Sequence, residues 1–233
     1  MALLPAVSGI IASTFDWRRL WLILAWLLCY CAQFTTARWL RARFRHRYLP
    51  PVAAYTAALA LIGTPLLAMH PQLLIWAPWY ATCAAVSLAG AWLRKDRSLW
   101  VNAASVLATS AMAMVVYTFD RPMSSHLLLS GATLAGVFAC TQYGSVLYVK
   151  TMIRERRNPK YLAASWIWHI VLVILSVRSS AVMPFTILSA ALLVRAIVMP
   201  VIGRRAHIKP IIVGLGEMMF SLLICLVAPY CTV

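Results

Sequence analysis

Two groups of residues in this chain are of types that do chemistry. The first lies in the run "YVKTMIRERRNPKY" (148–161), which sets Lys150, Arg154, Arg156 and Arg157 around Glu155 and Asn158. Guanidinium groups are planar forks that take two oxygens of a phosphate or carboxylate at once, which a cluster made only of lysine would not do. These six residues are the candidate anion-binding set. The second group is four polar residues isolated in apolar stretches: Gln142, His169, Arg195 and Glu217. Each stands eight residues from the edge of the nearest basic segment (Lys150, Tyr161, Gly203 and Lys209 in turn). On a helix that is a depth of about 12 Å for all four. An ionisable group so deep in lipid costs about 2.5 to 3.5 kcal/mol to insert and turns inward to a partner. Arg195 and Glu217, on consecutive antiparallel segments, are natural partners. Such a pair can equally do no more than fix helix register, and His169 alone reads as a hydrogen-bonded core residue.

The segments that must carry these residues are apolar. The 233-residue chain is 63% hydrophobic and only 11% charged, with a mean hydropathy of +0.83. Basic clusters and Pro or Gly breaks divide it into nine apolar runs, at about 1–14, 20–37, 50–68, 73–92, 99–118, 126–148, 162–177, 184–202 and 210–230. A helix needs about twenty such residues to cross about 30 Å of hydrocarbon, where every backbone amide must be satisfied within its own segment. The expectation is an all-α polytopic bundle of nine transmembrane helices in a single integral membrane domain, 1–233. The first run is too short to cross, so residues are expected to be missing upstream of Met1.

The formal net charge of +16 is explained by where the charges stand. Sixteen of the twenty-one Lys and Arg fall in four connections, 37–48, 94–97, 150–160 and 203–209, which alternate with poorly basic ones. By the positive-inside rule these four face the cytoplasm, the N-terminus lies inside and the C-terminus outside. Nucleic acid is therefore not implied as a partner, whereas anionic headgroups are, at about 1 kcal/mol for each basic residue near the surface. Tryptophans and tyrosines near the run ends, such as Trp76, Trp92, Trp100 and Tyr117, fit the interfacial belt. No G-x-S-x-G, H-E-x-x-H or P-loop occurs, so no catalytic residue is assigned. The six cysteines lack paired spacing and read as small core residues, and neither a metal site nor a cofactor is expected. No cleavable signal peptide opens the chain.

The basic run, followed by "SWIWH" (165–169), "VRAIVMP" (194–200) and "KPIIVGLGE" (209–217), resembles the YwiC-like family of bacterial membrane proteins. The resemblance is specific over the last ninety residues and weaker but collinear earlier, through "LRKDRSLW" (93–100) and "LLP" (3–5). Members begin with a His-Gly-Ala-Trp stretch before the equivalent of "MALLP", which this chain lacks. The resemblance implies a multi-pass protein and no particular reaction. More distantly, the arrangement looks like that of UbiA-type intramembrane prenyltransferases, whose aspartate-rich loops hold magnesium. Here the five acidic residues (Asp16, Asp96, Asp120, Glu155, Glu217) leave the corresponding loops with Glu155 alone, so magnesium-dependent prenyl transfer is not expected.

The function these features imply is a cytoplasm-facing intramembrane pocket in a bacterial inner-membrane protein. Its rim would be basic and its floor the polar layer. Partners would be membrane lipids, among them an anionic lipid or isoprenoid ligand, and other membrane proteins. The alternatives are a small proton-coupled transporter, which a buried Arg/Glu/His layer would suit, and a structural or assembly factor of a larger membrane complex. The small residues Ala132, Gly136, Cys140 and Gly144 would let helices pack closely.

Overall fold

Helix boundaries follow local chemistry at both ends. The computed structural model describes residues 2–122, 124–156, 158–178, 182–205 and 208–232. Among them are nine α-helices and no strand: α1 Leu4–Ile11, α2 Trp17–Arg41, α3 Leu49–Met69, α4 Ala77–Trp92, α5 Leu99–Thr118, α6 Ser125–Ile153, α7 Pro159–Arg178, α8 Met183–Arg205 and α9 Pro210–Val227. The Asp16 carboxylate caps α2 by accepting from Arg18 N at 3.0 Å, and the Ser124 hydroxyl caps α6 by accepting from Leu127 N at 3.1 Å. Eight of the nine helices are long and apolar enough to cross a membrane. The exception is α1, whose eight residues reach only about 12 Å.

Several helices outrun their apolar runs. The expected spans ended near 37, 148 and 202, whereas α2, α6 and α8 continue to Arg41, Ile153 and Arg205. Hydropathy ends where charge begins, but backbone hydrogen bonding continues past the hydrocarbon because long basic side chains reach back to water from a helical backbone. The turns that finally stop α2 and α4 use arginine in the left-handed region, Arg43 at φ 55° and Arg94 at φ 57°. Both close a Schellman pattern: Phe44 N donates to Trp39 O at 3.0 Å, and Lys95 N to Gly90 O at 2.8 Å. Glycine is usual there, so each arginine carries about 1 kcal/mol of backbone strain.

Side-chain contacts gather the four basic connections at one end of the bundle. Arg41 at the end of α2 pairs with Asp96 in the α4–α5 loop. Lys150 Nζ donates to the carbonyl of Arg97 in that same loop at 2.5 Å, and Arg156 donates to the carbonyl of Gly203 on α8. The opposite end is tied separately. Arg18 pairs with Asp120 at 3.1 Å, His70 lies 3.8 Å from the same carboxylate, and Arg19 donates to the Phe119 carbonyl at 3.3 Å.

Helices α2 to α5 form one half and α6 to α9 the other, joined where α5 packs along α6. The short α1 is wedged between α5 and α9, at the end remote from the basic loops. Its close seat on α5 explains Gly9, where a Cβ would lie 2.7 Å from the Ala113 carbonyl oxygen. Cys225 Sγ on α9 donates to Leu4 O at 3.3 Å, and Trp26 Nε1 on α2 donates to Ala2 O at 3.3 Å. By helical rise Cys225 lies about 24 Å, and Trp26 about 17 Å, from the nearest basic connection. The seam between α5 and α9 is therefore filled by α1 only over its far part.

Candidate functional site

The four isolated polar residues meet around the middle of α6. Arg195 on α8 and Glu217 on α9 form a buried ion pair, with side chains 8% and 3% exposed. The guanidinium is sandwiched between the Tyr148 ring at 4.2 Å and the Phe220 ring at 4.6 Å, measured to the ring centroids. Aromatic faces attract a cation most strongly when water is excluded, so they offset part of the desolvation cost. The Ser145 hydroxyl, one turn from Gln142 on α6, is turned to the Glu217 carboxylate. His169 on α7 is fully buried, and its Nδ1 lies 2.7 Å from the Ser165 carbonyl. A carbonyl can only accept, so Nδ1 carries the proton and Nε2 is a bare acceptor. That Nε2 faces Gly144 of α6, where a Cβ would lie 3.2 Å away. Trp168 Nε1 donates to the Cys140 carbonyl at 2.8 Å, so part of the small-residue stripe seats α7. A Cβ at Gly136 in the same stripe would meet nothing within 4 Å among the described residues.

This layer leaves polar atoms over. Gln142 Nε2, Glu217 Oε2, His169 Nε2, Ser165 Oγ and the Nε and Nη2 of Arg195 are buried without a hydrogen-bond partner among the described residues. Orphaned polar atoms in the interior are expensive, and several in one place mark where a water or ligand belongs.

A cavity of about 410 Å³ connects this layer to the basic end. Its floor is Gln142, Ser145 and Glu217, its wall Val146, Val149 and Ile153, and its mouth Arg97, Lys150 and Arg154, with Asn102 at the side. It occupies the part of the α5–α9 seam that α1 leaves open. The volume is within the range of small-molecule sites, about 300 to 1,000 Å³. No ion pair among the described residues engages Arg97, Lys150 or Arg154.

The basic run divides between two tasks. Lys150 and Arg154 line the cavity. Glu155 and Arg156 instead border a void of about 10 Å³ with Thr151, Leu162, Pro200 and Gly203, room for about one water. Helix α6 stops at Ile153, and Asn158 opens α7: its Oδ1 accepts from Lys160 N at 3.1 Å, with Pro159 in the first turn. Asn158 Nδ2 donates to Glu155 Oε2 at 3.0 Å, so both side chains are engaged in shaping the loop. Lys150 lies in the last turn of α6 and Arg154 is already its cap. Arg157 lies outside the described residues. Arg97, Asn102 and Ser145 were not singled out from sequence. The available signals were Ser145 standing three residues from Gln142 and a lone amide entering α5; Arg97 was read only as an orienting charge.

A family described as YwiC-like protein matches residues 1–117, half of the chain. The chain belongs to the YwiC-like family. Of the motifs that suggested this, "LLP" and "LRKDRSLW" fall within the matched part, and those of the last ninety residues lie beyond it. This YwiC-like chain is 28% identical over 179 residues to an uncharacterised protein of Haemophilus influenzae, across 77% of its own length and 74% of the relative's. No solved structure matches it. As a YwiC-like protein with eight long apolar helices it is a multi-pass membrane protein whose outward apolar faces meet lipid.

Proposed function

We propose that this protein binds an anionic lipophilic molecule in a cytoplasm-facing pocket within the bacterial inner membrane. The observation that carries the reading is the cavity between α5, α6 and α9, which sets three cations, none in an ion pair among the described residues, at its mouth above a floor of buried polar atoms. A phosphate or carboxylate at the mouth would engage Arg97, Lys150 and Arg154. A hydroxyl or amide deeper in the head would satisfy Gln142 Nε2 and Glu217 Oε2. The Arg195–Glu217 pair is already neutral, so the anion is held at the mouth and the floor selects by hydrogen bonding. Catalysis is not assigned, and neither a metal nor a cofactor enters the reading.

Native mass spectrometry of the protein released from bilayers of phosphatidylglycerol mixed with phosphatidylcholine tests this. The wild type is expected to retain the anionic lipid preferentially. The triple variant Arg97→Gln, Lys150→Gln, Arg154→Gln should lose at least tenfold of that retention, taking each basic residue at about 1 kcal/mol. The double variant Arg45→Gln, Arg47→Gln, in the exposed basic loop after α2, should keep it. Equal retention by wild type and triple variant would overturn the proposal.

A further inference from the structure

A second cavity, of about 380 Å³, lies between α2, α4, α5 and α6. It shares Asn102, Gln142 and Val146 with the first, so the two cavities adjoin across these residues. Its interior is walled by Trp26, Cys83, Val101, Ala104, Val106 and Ala108. Of its polar lining, Ser105 Oγ donates to Val101 O at 3.1 Å and Thr109 Oγ1 to Ser105 O at 3.0 Å, so both are spent on their own helix, while Tyr30, Gln33 and Ser87 line it from α2 and α4. Charge is confined to one end, where Arg38 lies beside the Arg41–Asp96 pair. That pair ties α2 to the α4–α5 loop and closes the end with salt-bridged polar groups. The two cavities thus differ in character while adjoining: one has cations outside any ion pair among the described residues and orphaned polar atoms, the other a mostly apolar wall.

We propose that the second cavity receives a hydrocarbon chain of the same amphiphile whose anionic head occupies the first, the chain passing over Val146 between Asn102 and Gln142. The inference rests on the reading above and adds the class of ligand. A head alone would leave the apolar space unused. A simple chain directed into the first cavity would end against Gln142, Ser145 and Glu217, whose polar atoms an alkyl group cannot satisfy. A polar head in the first space and a chain in the second satisfies both, and the continuity through three shared residues supplies the path. The ligand is therefore a long-chain amphiphile with a phosphate or carboxylate head bearing at least one further hydrogen-bonding group.

Chain length provides the test. Dioleoyl and dihexanoyl phosphatidylglycerol are compared for retention by the whole protein in native mass spectrometry. The wild type should favour the long-chain lipid by tenfold or more, and Ala108→Phe, which fills the second cavity, should erase the preference while still retaining the short-chain lipid. Ala104→Leu is the milder filling variant should Ala108→Phe fail to fold. In the wild type, a phosphatidylglycerol carrying a diazirine at its chain terminus should label α2 or α4 peptides around Trp26 and Cys83. Retention of neither lipid by the wild type would sink the binding reading itself. Retention of both alike, or labelling confined to the outward faces of α7 and α9, would overturn the chain site alone. So would loss of both lipids from a folded filling variant, since the cavity would then be serving the head.

Discussion

At the scale of single residues the Arg195–Glu217 pair is the most exposed to test. Truncating one partner leaves a buried charge, which costs about 3 to 5 kcal/mol. The two truncations are not equivalent. A stranded carboxylate can take up a proton, but the guanidinium held between Tyr148 and Phe220 keeps its charge under all ordinary conditions. Glu217→Leu is therefore expected to destabilise more than Arg195→Met. The double variant, which removes both charges, should recover part of the loss. Denaturant unfolding in detergent, combined as a double-mutant cycle, measures the coupling directly. Additive losses would mean the two side chains do not act as a pair. This meeting was legible in the sequence, because equal spacing from the basic segments put both groups at one depth on consecutive helices. What spacing does not carry is azimuth. Ser145 and Asn102 became part of the site only through the way α6 is turned against α5 and α9, and Glu155 and Asn158 left it because a loop, unlike a helix, has no period to read.

At the scale of elements, α1 determines where the cavity lies, since it fills the seam between α5 and α9 at one end only. Its seat depends on the missing side chain at Gly9. A Cβ there would meet the Ala113 carbonyl at 2.7 Å and Val116 Cβ at 3.0 Å, both on a helix with little room to retreat. Gly9→Ala should cost about 1 to 3 kcal/mol as an overpacking substitution. Gly136→Ala, at a position with nothing within 4 Å, should be neutral or stabilising by up to about 1 kcal/mol through helix propensity. Thermal unfolding followed by tryptophan fluorescence separates the two, and equal effects would show that α1 is not seated on α5 as described. The same contrast shows what a stripe of small residues does and does not say. Its four-residue spacing marked a helix face, but Cys140 and Gly144 seat α7 whereas a Cβ at Gly136 would meet no atom within 4 Å among the described residues. Helix number was readable because each long apolar run is one element. The ends were not, because backbone hydrogen bonding outlasts hydropathy by three to five residues in α2, α6 and α8.

For the whole molecule, the decisive quantity is the separation of charge between the two ends. Arg41–Asp96, Lys150 with Arg97 and Arg156 with Gly203 join the four basic connections into one surface, while Asp120 occupies Arg18 at the other end. Sixteen Lys and Arg against four in the other connections (Arg18, Arg19, Arg121 and Arg178), with Arg195 inside α8, is a bias that orients short-looped membrane proteins with the basic surface in the cytoplasm. The cavity opens on that surface, so its orientation decides whether a ligand arrives from the cytoplasm and its leaflet or from outside. Phe15, 70% exposed in the α1–α2 connection, and Lys95, exposed in the α4–α5 loop, report on the two ends without touching the cavity. In a background with the six native cysteines replaced, Phe15→Cys should react with a membrane-impermeant maleimide on intact cells, and Lys95→Cys only after lysis. The reverse pattern would turn the mouth formed by Arg97, Lys150 and Arg154 outward. It would remove the cytoplasmic reading while leaving the geometry of the cavity, and therefore the anionic chemistry of its ligand, as it stands.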